Sequence, residues 1–152
     1  MAKIKTVASS DTFNALFAEA RAAGERNDCA VKAIVLATGV SYEVARAALA
    51  VRGRKTGHGA WPSDINAVIR SFGFRLDFVM QSEFIRAYPL PHRHVASCVT
   101  THHPRRFAKV WPKGTFLIYT RGHVLTCIDG VVHDWTINKA KRVTEIFRVV
   151  KE

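Results

Sequence analysis

Two runs rich in β-branched and aromatic residues flank the pair Asp129-Gly130, and this pattern restricts the possible folds more than any other in the chain. Asp-Gly between such runs is typical of a type I′ turn, which joins two antiparallel strands through a two-residue loop. Residues 115–128 supply the first run and residues 131–136 the return strand. The sequence therefore predicts a β-hairpin in which Ile128 faces Val131 and Leu125 faces Asp134.

The same register brings a histidine near an acid. Side chains alternate between the faces of a strand, so His123, Cys127 and Asp134 are expected on one face, with His123 and Asp134 as diagonal neighbours. An imidazole whose tautomer is fixed by a carboxylate is the base of a nucleophilic triad, and a nucleophile is then expected elsewhere in the chain. A surface ion pair is the alternative interpretation.

A nearly uninterrupted apolar segment follows Asn27-Asp28 and ends at Gly39. Either polar residue can cap a helix start and glycine is typical of a helix end, so the sequence predicts a central buried helix. Cys29 would lie in its first turn, where unpaired N–H groups favour a thiolate. Asp28 would oppose that thiolate unless its side chain turned away to cap the helix. A small buried residue at a helix start is the alternative role for Cys29.

The remaining elements follow from periodicity and capping residues. Helices are predicted at about residues 11–23, 42–52 and 62–72, and strands at about 74–80 and 140–150. The faces of the last strand are expected to alternate strictly along its length. The glycine-rich segment 53–59 lacks the residue order of a phosphate-binding loop, and a mobile rim beside an active site is the favoured interpretation.

Length and composition set the class of protein. A chain of 152 residues with 48% hydrophobic residues is expected to form one domain, residues 1–152, with its own core. No apolar run is long enough to span a membrane, and the first residues lack the apolar core of a signal peptide, so a cytoplasmic location is expected, or the host cytoplasm if a phage encodes the chain. Three cysteines, an odd number, indicate reduced thiols.

The formal net charge is +11, and an excess of this size attracts anionic partners. Nucleic acid is one candidate partner. The basic residues are dispersed, however, and no zinc-finger, RNA-recognition or basic-zipper pattern is present. A basic surface that only keeps the protein dissolved remains the alternative.

Four histidines and Cys98 lie within residues 92–103, so metal binding has to be considered. Their spacings match no recognised zinc pattern, and the segment contains no acidic residue. A connection leading into a short helix at about residues 103–110 is the favoured interpretation, and neither a metal nor a cofactor is expected.

A helix-start cysteine followed by a late antiparallel sheet with a histidine and an acid resembles the papain-like cysteine hydrolases. The similarity is greatest to small bacterial and phage members, including the peptidase domains that trim bacteriocin leaders. It depends on Asn-Asp-Cys-Ala at residues 27–30, Gly-His-Val-Leu at 122–125 and Asp-Gly-Val-Val-His-Asp at 129–134. The segment that leads into the predicted hairpin, from Arg-Arg-Phe at residue 105 to Pro-Lys-Gly-Thr ending at residue 115, also resembles phage proteins of this fold.

The resemblance implies an α+β, papain-like fold with a helical half at about residues 10–90 and a sheet half at about 100–152. It implies Cys29 as nucleophile, His123 as general base and then acid, and Asp134 as the group that orients His123. Papain-like enzymes commonly carry an oxyanion-hole glutamine six residues before the cysteine, where this chain has Ala23. Asn27 or the backbone N–H of Cys29 could donate instead.

The reaction that the resemblance implies is acyl transfer to the cysteine. The expected substrate is a protein or peptide, and no cofactor is needed. Peptide, isopeptide, peptidoglycan and glutamine-amide bonds all remain open as the bond that is cleaved. Cys98 and Cys127 are competing nucleophiles, with Cys127 disfavoured because it points parallel to His123 from the same strand. An inactive homologue, or a basic nucleic-acid-binding or host-interaction protein on the same scaffold, is the alternative function.

Overall fold

The computed structural model describes residues 11–79, 113–133 and 143–152 of the chain. Within these residues the helices are α1 (Asp11–Ala22), α2 (Cys29–Thr38), α3 (Tyr42–Val51) and α4 (Pro62–Ser71). The strands are β1 (Phe74–Val79), β2 (Thr115–Thr120), β3 (His123–Ile128), β4 (Val131–His133) and β5 (Val143–Lys151). The predicted α+β class and these predicted helices are confirmed. The predictions for Asp134, Cys98 and residues 92–112 lie outside the described residues.

The five described strands form one antiparallel sheet in the order β1-β5-β2-β3-β4. The early strand β1 follows the helices in sequence, yet it pairs with β5 along its whole length. The sheet therefore includes a strand from the predicted helical half of the chain, and the last strand lies between β1 and β2.

The Asp129-Gly130 turn joins β3 to β4 as predicted. Asp129 and Gly130 both have positive φ angles, 48° and 80°, which is the requirement of a type I′ turn. Ile128 faces Val131, and Thr126 faces His133 two residues further from the turn. The predicted register is therefore confirmed over the described part of β4.

The prediction of one long strand over residues 115–128 was wrong. The segment forms two six-residue strands, β2 and β3, with Arg121-Gly122 between them. Gly122 has φ 74°, a left-handed conformation that glycine adopts without steric cost, and Thr120 faces His123 across the turn. His123 is consequently the first residue of β3, at the end of the sheet.

The predicted strict alternation of the last strand was also wrong at its start. Tyr119 faces Glu145 whereas Thr120 faces Val143, so β5 carries one extra residue, Thr144. The Thr144 hydroxyl donates a hydrogen bond of 3.2 Å to the Tyr119 carbonyl. Because of this bulge, Val143 packs in the same cluster as Ile146, on the opposite face from the one predicted.

Helix α2 is the buried helix that its composition predicted. Its buried apolar side chains belong to the larger hydrophobic cluster, which also includes residues of the other helices and of the sheet. Its several alanines allow close packing against β3, where the buried Thr126 hydroxyl donates a hydrogen bond of 3.2 Å to the Ala33 carbonyl. Helix and strand are therefore joined by a polar contact as well as by apolar burial.

Candidate active site

Cys29 is the first residue of α2 and is partly buried at the floor of two cavities. The helix begins there because Asp28 has a non-helical backbone conformation, and it ends at Gly39, which has φ 78°. The first N–H groups of a helix have no intrahelical acceptor, so a thiolate at this position receives favourable electrostatic interactions. The sulfur is thus neither sealed in the core nor fully exposed.

His123 lies beside Cys29, and the two side chains are hydrogen-bonded. Burial raises the pKa of the Cys29 thiol, but the hydrogen bond with His123, its positive charge and backbone N–H groups of Val124 and Ala30 together lower the pKa below its ordinary value. Two residues 94 positions apart in sequence are brought together because α2 packs on β3 and His123 begins that strand. The fold therefore places an imidazole against a thiol whose pKa is lowered.

Asp28 is the N-cap residue of α2, but its side chain turns away from the thiol without making a capping hydrogen bond to the helix. Its carboxylate is buried, lies 3.0 Å from Lys32 Nζ and accepts a hydrogen bond of 2.8 Å from the Tyr42 hydroxyl. Burial, together with this hydrogen bond, raises the pKa of Tyr42. The negative charge beside Cys29 is thereby balanced by Lys32, a cation in the same helix, instead of acting on the thiol alone.

Asn27, the candidate oxyanion donor, lines one of the two cavities beside Cys29. Its side-chain Nδ2 donates a hydrogen bond of 3.0 Å to the Gly57 carbonyl. One of its two N–H donors is therefore engaged with the glycine-rich segment. Asp134, the predicted third member of the triad, follows His133 immediately in sequence and lies outside the described residues.

The glycine-rich segment 53–59 forms a rim of the candidate site, held by the buried carboxylate of Glu25. Glu25 accepts hydrogen bonds from the Gly57 N–H at 2.7 Å, from Arg54 at 2.6 Å and from Arg46 at 3.2 Å. Burial raises the pKa of Glu25, but the hydrogen bonds from Arg54, Gly57 and Arg46, together with the positive charge of Arg54, outweigh burial and lower the pKa. The rim, which the sequence predicted to be mobile, is therefore hydrogen-bonded to the segment that precedes α2.

Two cavities open on either side of the Cys29–His123 pair. The first, about 490 Å³, is called the apolar cavity here because its lining includes Trp61, Ile65, Tyr119 and Val124. The second, about 460 Å³, is called the polar cavity because its lining includes Arg26, Asn27, Asp28 and Lys32. A chain bound across the pair would thus have different surroundings on the two sides of the sulfur.

Cys127 has a different environment from Cys29. It is fully buried in the second hydrophobic cluster, and burial raises the pKa of its thiol to about 12. A thiol of this kind is a poor nucleophile at neutral pH. Among the described cysteines, Cys29 alone therefore combines access to solvent with a lowered pKa.

No group of three or more potential metal ligands occurs within residues 11–79, 113–133 and 143–152. The histidines of residues 92–103 lie outside those ranges. In the same described part of the chain, every helix is too short or too polar to cross a membrane.

Sequence reasoning missed three residues that shape the site, Glu25, Lys32 and Tyr42. A lysine within an apolar helix, four residues after an aspartate, is a local signal of an ion pair that could have been used for Lys32. Glu25 and Tyr42 gave no local signal, since their partners are 14 or more positions away in sequence.

Comparison of the chain with models of known protein families, with curated proteins and with solved structures gave no match. The function is therefore inferred from the residues and their geometry.

Proposed function

We propose that this protein is a cysteine hydrolase of the papain-like type, which cleaves an amide bond through Cys29 and His123. The observation that carries the proposal is the hydrogen-bonded pair of a helix-start thiol and an imidazole, open to cavities on both sides. The α+β arrangement, with the cysteine helix packed on an antiparallel sheet, is compatible with the same class. Protein or peptide is the substrate class that this chemistry favours.

In the proposed reaction the Cys29 thiolate attacks the carbonyl carbon of the scissile amide. His123, protonated in the thiolate state, gives its proton to the leaving nitrogen as the carbon–nitrogen bond breaks, which leaves a thioester on Cys29. Water then attacks the thioester while His123 accepts its proton, and the acid product leaves with the thiolate restored. Asp134 is proposed to orient His123 through these steps, as the resemblance to papain-like enzymes implies.

The oxyanion of the tetrahedral intermediate needs hydrogen-bond donors. The backbone N–H of Cys29 is suited to this role because it lies in the first turn of α2, where N–H groups have no intrahelical acceptor. Asn27 keeps a second N–H beyond the one given to Gly57. Ala23 stands where papain-like enzymes have a glutamine, and loss of one such donor costs about 2.7–4 kcal/mol of transition-state stabilisation. We therefore expect slow turnover compared with enzymes that have the glutamine.

The proposal is tested by replacing the cysteine. Cys29→Ala should abolish cleavage of a quenched fluorescent peptide pool, whereas Cys98→Ser should retain it, with circular dichroism confirming that both variants are folded. Cleavage that persists in folded Cys29→Ala would overturn the assignment. Salt-dependent retention of DNA or RNA, unchanged after alkylation of Cys29 and without any cleavage, would instead support the non-catalytic binding role.

A further inference from the structure

A third cavity, of about 250 Å³, adjoins the apolar cavity. The linings of the two cavities share His58, Gly59, Ala60 and Trp61, so the cavities meet at this segment. We call this third cavity the basic recess because Arg52, Arg54 and Lys55 contribute to its lining, with Asp64 as the acidic member.

The three cations of the basic recess differ in how far carboxylates of the protein neutralise them. Arg52 pairs with Asp64 at 3.0 Å, and Arg54 Nη1 pairs with Glu25 at 2.6 Å. Arg54 has only 3% of its side chain exposed, and its buried Nε has no hydrogen-bond partner among the described residues. Lys55 is exposed and has no ion pair in the part of the chain that the structure describes. Lys55 is therefore the cation of the recess that can bind an anionic group without giving up an ion pair among the described residues, and Arg52 borders the same space.

Trp61 stands between the apolar cavity and the basic recess and is 77% exposed. A tryptophan with this exposure leaves a large apolar surface in water, and such surfaces commonly mark contact sites. Its position at the start of α4, whose first residue is Pro62, fixes it beside the rim. It is therefore placed to cover an apolar group that lies between Cys29 and the recess.

Resting on the hydrolase function above, we propose that the substrate is a peptide segment with an apolar residue against Trp61 and an acidic side chain in the basic recess. A peptide fits better than a nucleic acid because Arg52 is already paired with Asp64, so the exposed charge of Lys55 suits a single carboxylate better than a continuous phosphate backbone. The small volume of the recess also suits one carboxylate and its side chain better than a nucleotide. Trp61, Lys55 and Arg52 are then specificity-determining residues.

The test uses two quenched peptide pools that differ only in glutamate or glutamine at one fixed position, moved stepwise along either side of the central bond. At one position we expect the wild-type protein to cleave the glutamate pool about tenfold faster in kcat/KM, the size of one charge-assisted hydrogen bond. Lys55→Met and Arg52→Met should each bring this ratio towards one. Lys151→Met, which removes an equal charge from an exposed position at the end of β5, is the matched control and should keep the ratio.

A second readout does not require turnover. Folded Cys29→Ala, incubated with a peptide mixture, should retain peptides enriched in acidic residues, and the added change Lys55→Met should remove the enrichment. Cleavage through Cys29 with no glutamate preference at any position would overturn the proposed recess but leave the hydrolase standing. Acidic enrichment without Cys29-dependent cleavage would support the recess as a binding site but overturn the hydrolase. Competition by a single-stranded oligonucleotide, with no acidic enrichment, would overturn the recess as a peptide site.

Discussion

The carboxylate of Asp28 lies 3.0 Å from the ammonium group of Lys32, one turn further along the helix that begins with Cys29. Both side chains are less than a tenth exposed, and Lys32 Nζ also lies 3.8 Å from the centre of the Phe17 ring. The acid that the sequence places next to the candidate nucleophile is therefore part of a compensated buried pair.

Lys32→Met should destabilise the protein by about 3 kcal/mol or more, because removing one partner leaves a buried charge uncompensated. The double change Asp28→Asn with Lys32→Met should recover most of that loss, since the Tyr42 hydroxyl can still donate to the amide oxygen. Urea unfolding of the single and double variants measures both effects. A double variant no more stable than Lys32→Met would show that the two charges are not coupled.

The rate of Cys29 alkylation by iodoacetamide should follow a midpoint below pH 9.0, the ordinary value for the thiol. The thiolate reacts, and His123 lowers the pKa of the thiol, so the reactive form should persist to lower pH than for a free cysteine. His123→Ala removes the hydrogen bond and the positive charge while burial remains, so its midpoint should lie above that of the wild type.

The control for that pH profile is His58→Ala, which removes the other histidine of the apolar cavity. It should keep the wild-type midpoint because His58 is not the residue hydrogen-bonded to the thiol. Equal midpoints in wild type and His123→Ala would mean that the imidazole does not act on Cys29.

Glu25→Gln should cost about 3–5 kcal/mol of folding free energy, because Arg54 would be left with an uncompensated buried charge. Glu43→Gln is the matched control: its carboxylate is 72% exposed and 3.8 Å from Arg46, so the change should cost less than about 1 kcal/mol. Chemical denaturation at neutral pH gives both values. Similar losses in the two variants would contradict a central role for Glu25.

Glu25 also predicts how stability depends on pH. Its pKa in the folded protein is lowered from 4.5, so its stabilising contribution is complete above that value and is lost as the pH falls through the lower, folded-state pKa. Wild type should therefore lose more stability than Glu25→Gln on acidification through this range. Parallel losses in the two proteins would rule out this linkage.

Gly122→Ala should destabilise the protein by about 1–2 kcal/mol, since a Cβ is strained at φ 74° although the space around it is open. Gly59→Ala is the control with the same residue change, because Gly59 has equally open surroundings but no left-handed backbone conformation. Thermal unfolding should separate the two variants. Equal stability of both would show that the turn before His123 tolerates a side chain.

Local patterns were sufficient to predict α2, the Asp129-Gly130 turn and its register, because turn chemistry and helix capping act over a few residues. The early cysteine and late histidine were predicted to meet from their order in the chain and its resemblance to a known class. The Arg121-Gly122 turn was missed although a 14-residue strand is longer than most strands, and Gly122 was a usable signal.

Other features depend on tertiary contacts that short patterns do not encode. The bulge at Thr144 follows from how β5 pairs with β2, and nothing in the alternation of residues 143–150 marks it. The hydrogen-bond donors to the Glu25 carboxylate come from α3 and the rim, 21 to 32 positions away in sequence. A buried acid with distant partners gives no periodic signal, so its role could be seen only in the folded chain.

Both backbone polar groups of Gly57 are hydrogen-bonded, its N–H to the Glu25 carboxylate and its carbonyl to the Asn27 side chain. Both of those residues lie within four positions of Cys29 in sequence, so the wall of the cleft and the sulfur share one support. A movement of this wall would therefore break those two hydrogen bonds or displace the residues that lead into Cys29.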